Sequence, residues 1–344
     1  MRKLVSIQKI DDIQPIEDAD KIVCASVLGW KVVIKKDSFK VGDKCVYFEV
    51  DSYLPIEDRY EFLRGSSFRK HEVLGDGFRI KTQKLRGQIS QGLVLPLKDC
   101  ELDESLEVGT DVTEKLGVRK WISIETISDF GTMIQGMPFS ISPTDETRVQ
   151  TIPKIIDEFK GLEYYITTKV DGTSITVAMQ NGKFKVCSHE NEIKNDGKSF
   201  VWRMMDDLKI KEKLIANHLD NIAIQGELAG PKIQKNRLQL AKPQWFVFTM
   251  IDLNTLERID LYGMKDICKL LNLTMVDIEE IGFDLPSKYP TIGDLLERAK
   301  GFYKSGRRKE GIVIRPIIPC YSKILKKDLS FKVLNNDFLL KDDK

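Results

Sequence analysis

The feature of this sequence that most restricts its fold is a series of short β-rich runs, several of which end at glycine. In the middle of the chain, residues 163–166 and 175–178 flank the segment TTKVDGTS at 167–174. Both runs alternate and are rich in β-branched or aromatic residues, a pattern that indicates strands. Glycine at 172 allows a turn with positive φ or a close approach of the backbone to a ligand. We therefore expect Lys169 to project from a tight junction between two strands, with Asp171 beside it.

A lysine in such a junction is a candidate nucleophile. Its amine attacks near neutral pH only if desolvation or nearby positive charge lowers its pKa. The pattern Lys-x-Asp-Gly alone does not decide this, because a solvated lysine before an ordinary Asp-Gly turn has the same four-residue signature. The rest of the chain must separate the two interpretations.

Composition limits the class of protein. The 344 residues are enough for two domains, and 42% of them are apolar, so the chain can build sizeable cores. The net charge is only +2 although 31% of residues are charged, so positive charge that binds nucleic acid must be clustered. The six cysteines form no C-x-x-C pair, which argues against a zinc site and fits free thiols in a reducing compartment. Because neither a signal peptide nor an apolar run of ~20 residues is found, we expect a soluble intracellular protein, cytoplasmic or nuclear.

The first third of the chain has a β pattern. Its apolar residues alternate in four runs, at 22–28, 30–34, 44–50 and 92–96. Short strands at this spacing indicate a small barrel or sandwich, to which we assign residues 1–115. Residues 116–145 lack clear periodicity and are expected to link this domain to a second one over 146–344.

A basic stretch lies near the end of the N-terminal domain. Residues 79–88 contain four basic side chains and no acid. Three of them, Lys81, Lys84 and Arg86, are candidates for following a phosphate backbone. A solvated loop is the alternative interpretation of the same stretch.

The second part of the chain combines helix and strand patterns. Helical spacing of apolar residues covers 198–218, 264–271 and 292–303. Further strands are indicated at 184–190, 222–227, 245–252, 307–316 and 329–334.

Charged residues recur at the ends of these strands. The carboxylates beside glycines are Asp171, Glu227 and Glu310, and the second lysine in a strand-like run is Lys332. If these strands line one cleft, the carboxylates suit a hard divalent cation, usually with water as further ligands. The lysines would offset phosphate charge. The cation and the second lysine would also disfavour protonation of Lys169. The set therefore matches phosphoryl chemistry.

Taken together, these residues resemble the covalent nucleotidyltransferase superfamily of RNA ligases, DNA ligases and capping enzymes. KVDG at 169–172 matches the nucleotidyl-acceptor motif of the family. QGELAGP at 225–231, followed by IQKN at 233–236, is very similar to the corresponding run of T4-type RNA ligases. The remaining family motifs follow in order at 245–252, 309–316 and 330–333.

The resemblance implies an α+β catalytic domain built on antiparallel sheets, behind an N-terminal β-barrel of the OB type. DNA ligases and capping enzymes of the family carry an OB domain after the last motif, whereas few residues follow it here. The N-terminal module is instead similar, at 29–33 and 46–52, to the OB domain of RNA ligases that seal nicks between 3′-OH and 5′-phosphate ends.

The resemblance also implies roles for single residues. Lys169 and Lys332 would be catalytic, and Phe248 would stack on adenine, with Gly172 beside the nucleotide. The three carboxylates would contact the metal or the ribose, and we do not divide these roles among Asp171, Glu227 and Glu310.

Two positions depart from the family pattern. Relatives usually offer an arginine to the nucleotide at the place where this chain has Ser188-His189-Glu190. His189, or Arg148 from upstream, would have to fill that role. Relatives also often carry a lysine two residues after Lys332, where this chain has Leu334.

The implied activity is ATP-dependent RNA ligation with a divalent cation, Mg²⁺ or Mn²⁺. Lys169 would take AMP from ATP, the AMP would pass to an RNA 5′-phosphate, and a 3′-OH would then displace it. The implied partner is a nicked RNA-containing duplex, contacted by Lys235 and the 79–86 basic run, with a monomeric protein and no membrane. The alternatives are a DNA ligase, a capping guanylyltransferase or an inactive nucleic-acid-binding relative.

Overall fold

A computed structural model describes residues 3–122 and 131–341, with the side chains of all of these except residue 341. Its contacts divide the chain into two compact units. Unit 1 contains Met1–Ile122, Gln150–Pro153 and Leu340–Lys344, and unit 2 contains Ser123–Val149 and Lys154–Leu339. The first division thus falls at Ile122 and not at residue 115. Residues 123–130 of the expected linker lie outside the described residues.

Unit 1 is built mainly from short strands. They are β1 (Val5–Lys9), β2 (Asp12–Ile16), β3 (Ala19–Val27), β4 (Trp30–Lys35), β5 (Lys44–Phe48), β6 (Ser52–Leu54), β7 (Phe68–Arg69), β8 (Gly77–Arg79), β9 (Thr82–Leu85), β10 (Gln88–Gln91), β11 (Leu93–Leu95) and β12 (Arg119–Lys120). One α-helical turn, α1 (Arg64–Ser67), and the 3₁₀ helices Asp58–Leu63 and Leu97–Cys100 complete it. The four strands expected from the sequence are confirmed as β3, β4, β5 and β11.

The strands of unit 1 form small sheets. Their orders are β1-β5-β11, β2-β3-β4, β9-β10 and β12-β6-β8-β7. Among the described strands, these sheets do not join into one closed hydrogen-bonded ladder, which differs from the expected barrel. The strands are too short for continuous pairing. Two apolar cores fill the unit, one containing Phe48 and Phe78 and the other Trp30 and Tyr47.

Unit 2 carries the longer strands. They are β13 (Met133–Ile134), β14 (Thr147–Arg148), β15 (Glu163–Lys169), β16 (Thr173–Gln180), β17 (Lys183–Cys187), β18 (Glu192–Ile193), β19 (Ile222–Ala229), β20 (Gln244–Asp252), β21 (Glu257–Arg258), β22 (Thr274–Met275), β23 (Ile278–Phe283), β24 (Gly311–Pro316), β25 (Tyr321–Ser322), β26 (Lys327–Asp328) and β27 (Phe331–Leu334).

The helices of this part of the chain are short. They are α2 (Phe200–Asp207), α3 (Ile210–Ala216), α4 (Leu261–Leu270), α5 (Leu285–Lys288), α6 (Ile292–Arg298) and α7 (Asn336–Lys341), with 3₁₀ helices at Pro138–Ser140, Val149–Thr151 and Pro153–Phe159. Within the described ranges, none of the helices has the length and apolar character needed to cross a membrane.

Two sheets organise unit 2. One has the order β13-β18-β17-β16-β19-β20-β21, with β22 added beside β20, and the other has the order β14-β27-β24-β15-β23. Pairing is antiparallel, as predicted, except for the short parallel pairs β14–β27 and β20–β22. The first sheet buries Val177, Ile224 and Val247 in a core shared with Met205 of α2 and Met264 of α4. Burying each such side chain stabilises the fold by about 1.5–3 kcal/mol. The fold class is therefore α+β, as the sequence indicated.

Two predicted helices are shorter than expected. The pattern over 198–218 is divided into α2 and α3, because Lys209 between them adopts a left-handed conformation with φ 54°. Ser199 caps α2 by accepting a hydrogen bond from the backbone N–H of Trp202 at 3.2 Å. The pattern over 292–303 ends at Arg298, and Gly301 follows with φ +136°. Apolar spacing continued through both breaks and did not reveal them.

The junction after Lys169 connects the two sheets. Strands β15 and β16 do not pair with each other but belong to different sheets. A Cβ atom at Gly172 would collide with the carbonyl oxygen of Leu228 on β19. Gly172 therefore serves a close backbone approach to a neighbouring strand and not a turn with positive φ. This packing holds the ends of the two sheets together beside Lys169.

Candidate active site

A cavity of about 280 Å³ lies within unit 2, between residues contributed by both sheets. Six of the residues proposed from the sequence line it: Lys169, Gly172, His189, Glu227, Phe248 and Lys332. These positions come from β15, β19, β20 and β27, and from the segments after β15 and β17. The two sheets thus bring together residues that are distant along the chain.

Lys169 lies at the end of β15, opposite Gly311 at the start of β24. Its ammonium group donates a hydrogen bond to Oε2 of Glu310 at 2.8 Å, and both side chains are mostly buried. Burial alone would lower the pKa of Lys169, but Glu310, Glu227 and Asp171 outweigh it and raise the pKa above its ordinary value. The surrounding acids thus favour the protonated amine, whereas the lowered pKa was expected from a bound cation together with the second lysine. The amine is held, protonated, among carboxylates.

The carboxylates around Lys169 have perturbed pKa values as well. Burial, helped by the charges of Glu310 and Asp171, raises the pKa of Glu227 to about 8, although Lys169 opposes the rise. Burial and the charge of Glu310 raise the pKa of Asp171 to about 6, against the effect of Arg237. Burial and neighbouring acids therefore favour the protonated forms of both carboxyls.

The carboxylates are bonded separately and do not converge on one point. Asp171 accepts a hydrogen bond from Nε of Arg237 at 2.8 Å, whereas Glu310 accepts one from Lys169. Across residues 3–122 and 131–341, no three His, Cys, Asp or Glu side chains form a metal-ligand group. The predicted set of Asp171, Glu227 and Glu310 is thus not assembled as a three-carboxylate metal site. Asp171 and Glu310 are instead each paired with a basic side chain.

The opposite wall of the cavity is formed around Lys332. Its ammonium group lies 3.3 Å from Oδ1 of Asp145. Burial lowers the pKa of Lys332 to about 8, and the charges of Lys169 and Arg148 contribute to the lowering against that of Asp145. Arg148 is buried on β14, where it pairs with Lys332 in parallel register. His189 lines the same cavity, with Nε2 at 3.9 Å from Oδ1 of Asp145.

Phe248 is half-buried on β20 and is anchored from behind. Arg315 donates a hydrogen bond to the Phe248 carbonyl at 2.6 Å, and its guanidinium lies 5.7 Å from the ring centre. Arg315 also donates to Glu146 at 2.9 Å, and Ser330 donates to the same Glu146 oxygen at 2.7 Å. The aromatic face at the cavity is therefore fixed by a buried ionic cluster.

The candidates for nucleic-acid contact lie elsewhere. Lys81, Lys84 and Arg86 belong to unit 1, where Lys84 and Arg86 lie on the hairpin formed by β9 and β10 and Lys81 directly precedes β9. The turn of this hairpin is Arg86-Gly87, with positive φ at both residues, the geometry that right-twisted hairpins favour. Lys235 is exposed in unit 2, in the loop between β19 and β20. None of these four lines the cavity.

Sequence reasoning missed four residues of the site. Arg237 follows Lys235 by two positions in a basic loop, and nothing in the sequence showed that it pairs with Asp171. Glu146 is the first residue assigned to the second domain, and nothing in the sequence showed that it is buried against Arg315. Tyr303 was placed at a helix end, yet its hydroxyl donates to the Lys169 carbonyl at 2.7 Å. A signal was present only for Arg315, which lies within the motif at 309–316.

Known proteins with similar sequences and folds were found for both parts of the chain. An OB-fold domain matches residues 4–97, and the RNA ligase family matches residues 162–334. The Naegleria gruberi RNA ligase with PPi is 32% identical, with a TM-score of 0.90, over 100% of this chain and 99% of that chain. A lysine-to-methionine mutant of that ligase with AMP and Mn is 32% identical, with a TM-score of 0.89, over 98% of each chain.

A third similar structure is a lysine-to-alanine mutant of the Naegleria gruberi ligase with ATP and Mn. It is 32% identical, with a TM-score of 0.88, and the match covers 98% of this chain and 97% of that one. A comparison with curated proteins gives no match. An OB-fold module together with a two-sheet domain that holds a buried lysine defines a ligase of the nucleotidyltransferase type. The chain belongs to the RNA ligase family.

Proposed function

We propose that this RNA ligase uses ATP to join 3′-OH and 5′-phosphate ends at nicks in RNA-containing duplexes. The observation that carries the proposal is the amine of Lys169, bonded to Glu310 at the wall of a cavity that Phe248 and Lys332 also line. The ATP, AMP and Mn present in the similar Naegleria gruberi structures support ATP as the nucleotide and a divalent cation.

In the first step, Lys169 becomes covalently bound to AMP. The amine must lose a proton, and Glu310 is the base at hydrogen-bond distance. The Nζ–phosphorus bond then forms at the α-phosphate of ATP, and the bond to the departing pyrophosphate breaks. The AMP next passes to an RNA 5′-phosphate. Attack by the 3′-OH finally forms the phosphodiester bond and releases AMP.

The carboxylates fit a divalent cation of the Mg²⁺ or Mn²⁺ type. Their oxygens are the ligands such ions prefer, and Mg²⁺ is usually held by only one or two carboxylates with phosphate and water. Burial is the main cause of the raised pKa values of Glu227 and Asp171, and the nearby Glu310 adds to it. When bound, the ion would supply positive charge that competes with the Lys169 ammonium for these oxygens. Glu227, Glu310 and Asp171 are the residues we assign to the metal and the ribose.

The remaining residues have roles that follow from their positions. Phe248 would stack on adenine, since its half-buried ring lines the cavity. Lys332 would contact the α-phosphate and stabilise the charge that develops during transfer. His189 and Arg148, which lie near Asp145 and Lys332, would contribute to phosphate binding. Gly172 would lie beside the nucleotide, since it lines the cavity.

The RNA would be contacted outside the cavity. We assign this role to Lys235 in unit 2 and to Lys81, Lys84 and Arg86 at the unit 1 hairpin. Positive side chains on exposed loops bind phosphates without reading sequence. We propose that the ligase acts as a monomer inside the cell.

The decisive experiment is covalent labelling with ATP carrying a labelled α-phosphate. Lys169→Met should abolish the labelled protein, because the nucleophile is removed. Lys288→Met is a matched control, since Lys288 also pairs with a glutamate, Glu280, at 2.8 Å but does not line the cavity. The control should label like the wild type. Undiminished labelling of Lys169→Met would refute the assignment.

Related activities are separated by substrate. Covalent labelling by GTP and not by ATP would support a capping guanylyltransferase. Preferential sealing of an all-DNA nick would support a DNA ligase. An inactive nucleic-acid-binding relative would bind nicked RNA without forming the covalent adenylate. We expect labelling with ATP and sealing of nicks with an RNA 3′-OH strand.

A further inference from the structure

The hydroxyl group of Tyr303 connects the nucleophile to the carboxylate that holds it. It donates a hydrogen bond to the Lys169 carbonyl at 2.7 Å. It accepts hydrogen bonds from the backbone N–H of Asp171 at 3.1 Å and from that of Glu310 at 3.0 Å. A phenol hydroxyl offers one donor and two acceptor positions, so its capacity is fully used.

The position of Tyr303 is itself fixed. Its side chain is buried, with 8% exposure. Its backbone N–H donates to the Arg307 carbonyl at 2.8 Å, and its carbonyl accepts from the Gly306 N–H at 2.9 Å. Burial and the nearby Glu310 raise the pKa of its hydroxyl, which therefore stays protonated and able to donate. The loop between α6 and β24 thus presents a rigid hydroxyl to two strand ends.

A second connection joins the same two segments one residue earlier. Thr168 donates to Oε1 of Glu279 at 2.7 Å, and the Lys309 ammonium donates to the same oxygen at 2.7 Å. Thr168 and Lys309 directly precede Lys169 and Glu310. Glu279 thus fixes the side chains of the two residues that precede Lys169 and Glu310. Among the described contacts, only the Tyr303 hydroxyl bonds to the backbone of all three of Lys169, Asp171 and Glu310. The hydroxyl is therefore in a place to set their separation.

We propose that Tyr303 is a positioning residue for the adenylation step, and this inference rests on the proposed function. Its hydroxyl holds the Lys169 backbone and the Glu310 backbone, so that the amine and its carboxylate partner stay at the separation that attack requires. Tyr303 exchanges no proton or electron in the step. The bond that forms is still Nζ to the α-phosphorus, and the bond that breaks is still the one to pyrophosphate.

The test compares Tyr303→Phe with Tyr289→Phe. Tyr289 is a matched control because it is 9% exposed and its hydroxyl donates to the Glu280 side chain at 2.8 Å, whereas the Tyr303 hydroxyl bonds to the backbone at the site. Single-turnover adenylate formation is measured against ATP concentration for both variants and the wild type. We expect Tyr303→Phe to lower the limiting rate roughly 10- to 100-fold, since small misplacements of reacting groups cost that much. The half-saturating ATP concentration should change less than about threefold, because no nucleotide contact is removed.

A second measurement in the same variant separates positioning from general damage. Sealing of a nick that already carries the RNA adenylate does not use Lys169 as nucleophile, so Tyr303→Phe should slow it much less than adenylate formation. Tyr303→Phe should lose more thermal stability than Tyr289→Phe, because it leaves three backbone groups without this partner, so both steps are measured well below the two unfolding midpoints. Equal losses in both steps, an unchanged limiting rate, or an effect confined to the half-saturating ATP concentration would overturn the inference. Failure of the wild type to form the adenylate would instead reject the proposed function.

Discussion

At the scale of single residues, the two lysines of the cavity differ in their electrostatics. Lys169 is surrounded by acids that raise its pKa, whereas burial, together with the charges of Lys169 and Arg148, lowers the pKa of Lys332 to about 8. The lysine proposed as nucleophile is thus the better protonated of the two before nucleotide binds.

The buried cluster behind Phe248 allows a prediction about stability and pH. Burial raises the pKa of Glu146, but Arg258 and Arg315 outweigh it and lower the pKa to about 2. A carboxyl whose folded pKa lies below its unfolded value stabilises the fold at pH values above the unfolded pKa. That contribution, about 3 kcal/mol for this shift, is lost as pH falls from about 4.5 to about 2.

Glu146→Gln should therefore lower the free energy of unfolding by about 3 kcal/mol at pH 7, since it leaves two buried arginines facing a neutral amide. The difference from the wild type should shrink as the pH is lowered through the window from about 4.5 to about 2. Thermal unfolding followed from pH 7 to pH 3 checks both statements. Glu190→Gln is the control, because Glu190 is 62% exposed and should show little change. A deficit that stays constant with pH would contradict the assignment.

At the scale of elements, two glycines let strands approach each other at the site. A Cβ atom at Gly172 would collide with the Leu228 carbonyl, and one at Gly311 would collide with the Val333 carbonyl. Each glycine is next to a proposed active-site residue, after Asp171 or after Glu310. The close approach of backbones therefore determines where the acids lie.

Gly172→Ala should accordingly reduce both stability and adenylate formation. The added methyl group must displace the backbone of Leu228. It must also displace the Cγ atom of Glu227, which lies 3.0 Å from the place that the new Cβ atom would take. Such overpacking costs roughly 1–3 kcal/mol. Gly65→Ala is the control, because Gly65 has open space around it and no positive φ. Unfolding midpoints and labelling with ATP would show the difference, and equal behaviour of the two variants would disprove this account.

The sequence revealed the elements better than their connections. Alternation located β15, β16, β19, β20 and β24, and the family motifs indicated which residues meet at the cavity. The sequence could not show that β15 and β16 belong to different sheets. Two consecutive strands alternate in the same way whether or not they pair with each other. The sequence also could not show the Arg237–Asp171 pair, the Tyr303 hydroxyl or the Glu146 cluster. These contacts depend on tertiary packing between residues that have no fixed spacing.

At the scale of the whole molecule, the cavity is formed entirely by unit 2. We propose that unit 2 carries out adenylation and that unit 1 supplies some of the residues that contact RNA. The net charge of +2 leaves little overall attraction to nucleic acid. RNA binding must then come from local groups such as the β9–β10 hairpin.

A fragment of residues 123–344 should therefore form the covalent adenylate at a rate near that of the full chain. Its sealing of nicked RNA should fall about tenfold or more, because phosphate contacts contribute strongly to affinity. The two rates can be measured in parallel, with Lys169→Met in the fragment as the blank. Sealing by the fragment at the full-length rate would remove the proposed substrate role of unit 1.

The pairing of β27 has a consequence for when this enzyme becomes reactive. This strand lies between β14 and β24, and its Lys332 meets Asp145 across 187 positions of sequence. Contacts of such long range slow folding, because closing the intervening loop costs entropy before the contact is made. We expect the enzyme to become reactive only after β27 has paired, because Lys332 then completes the wall of the cavity.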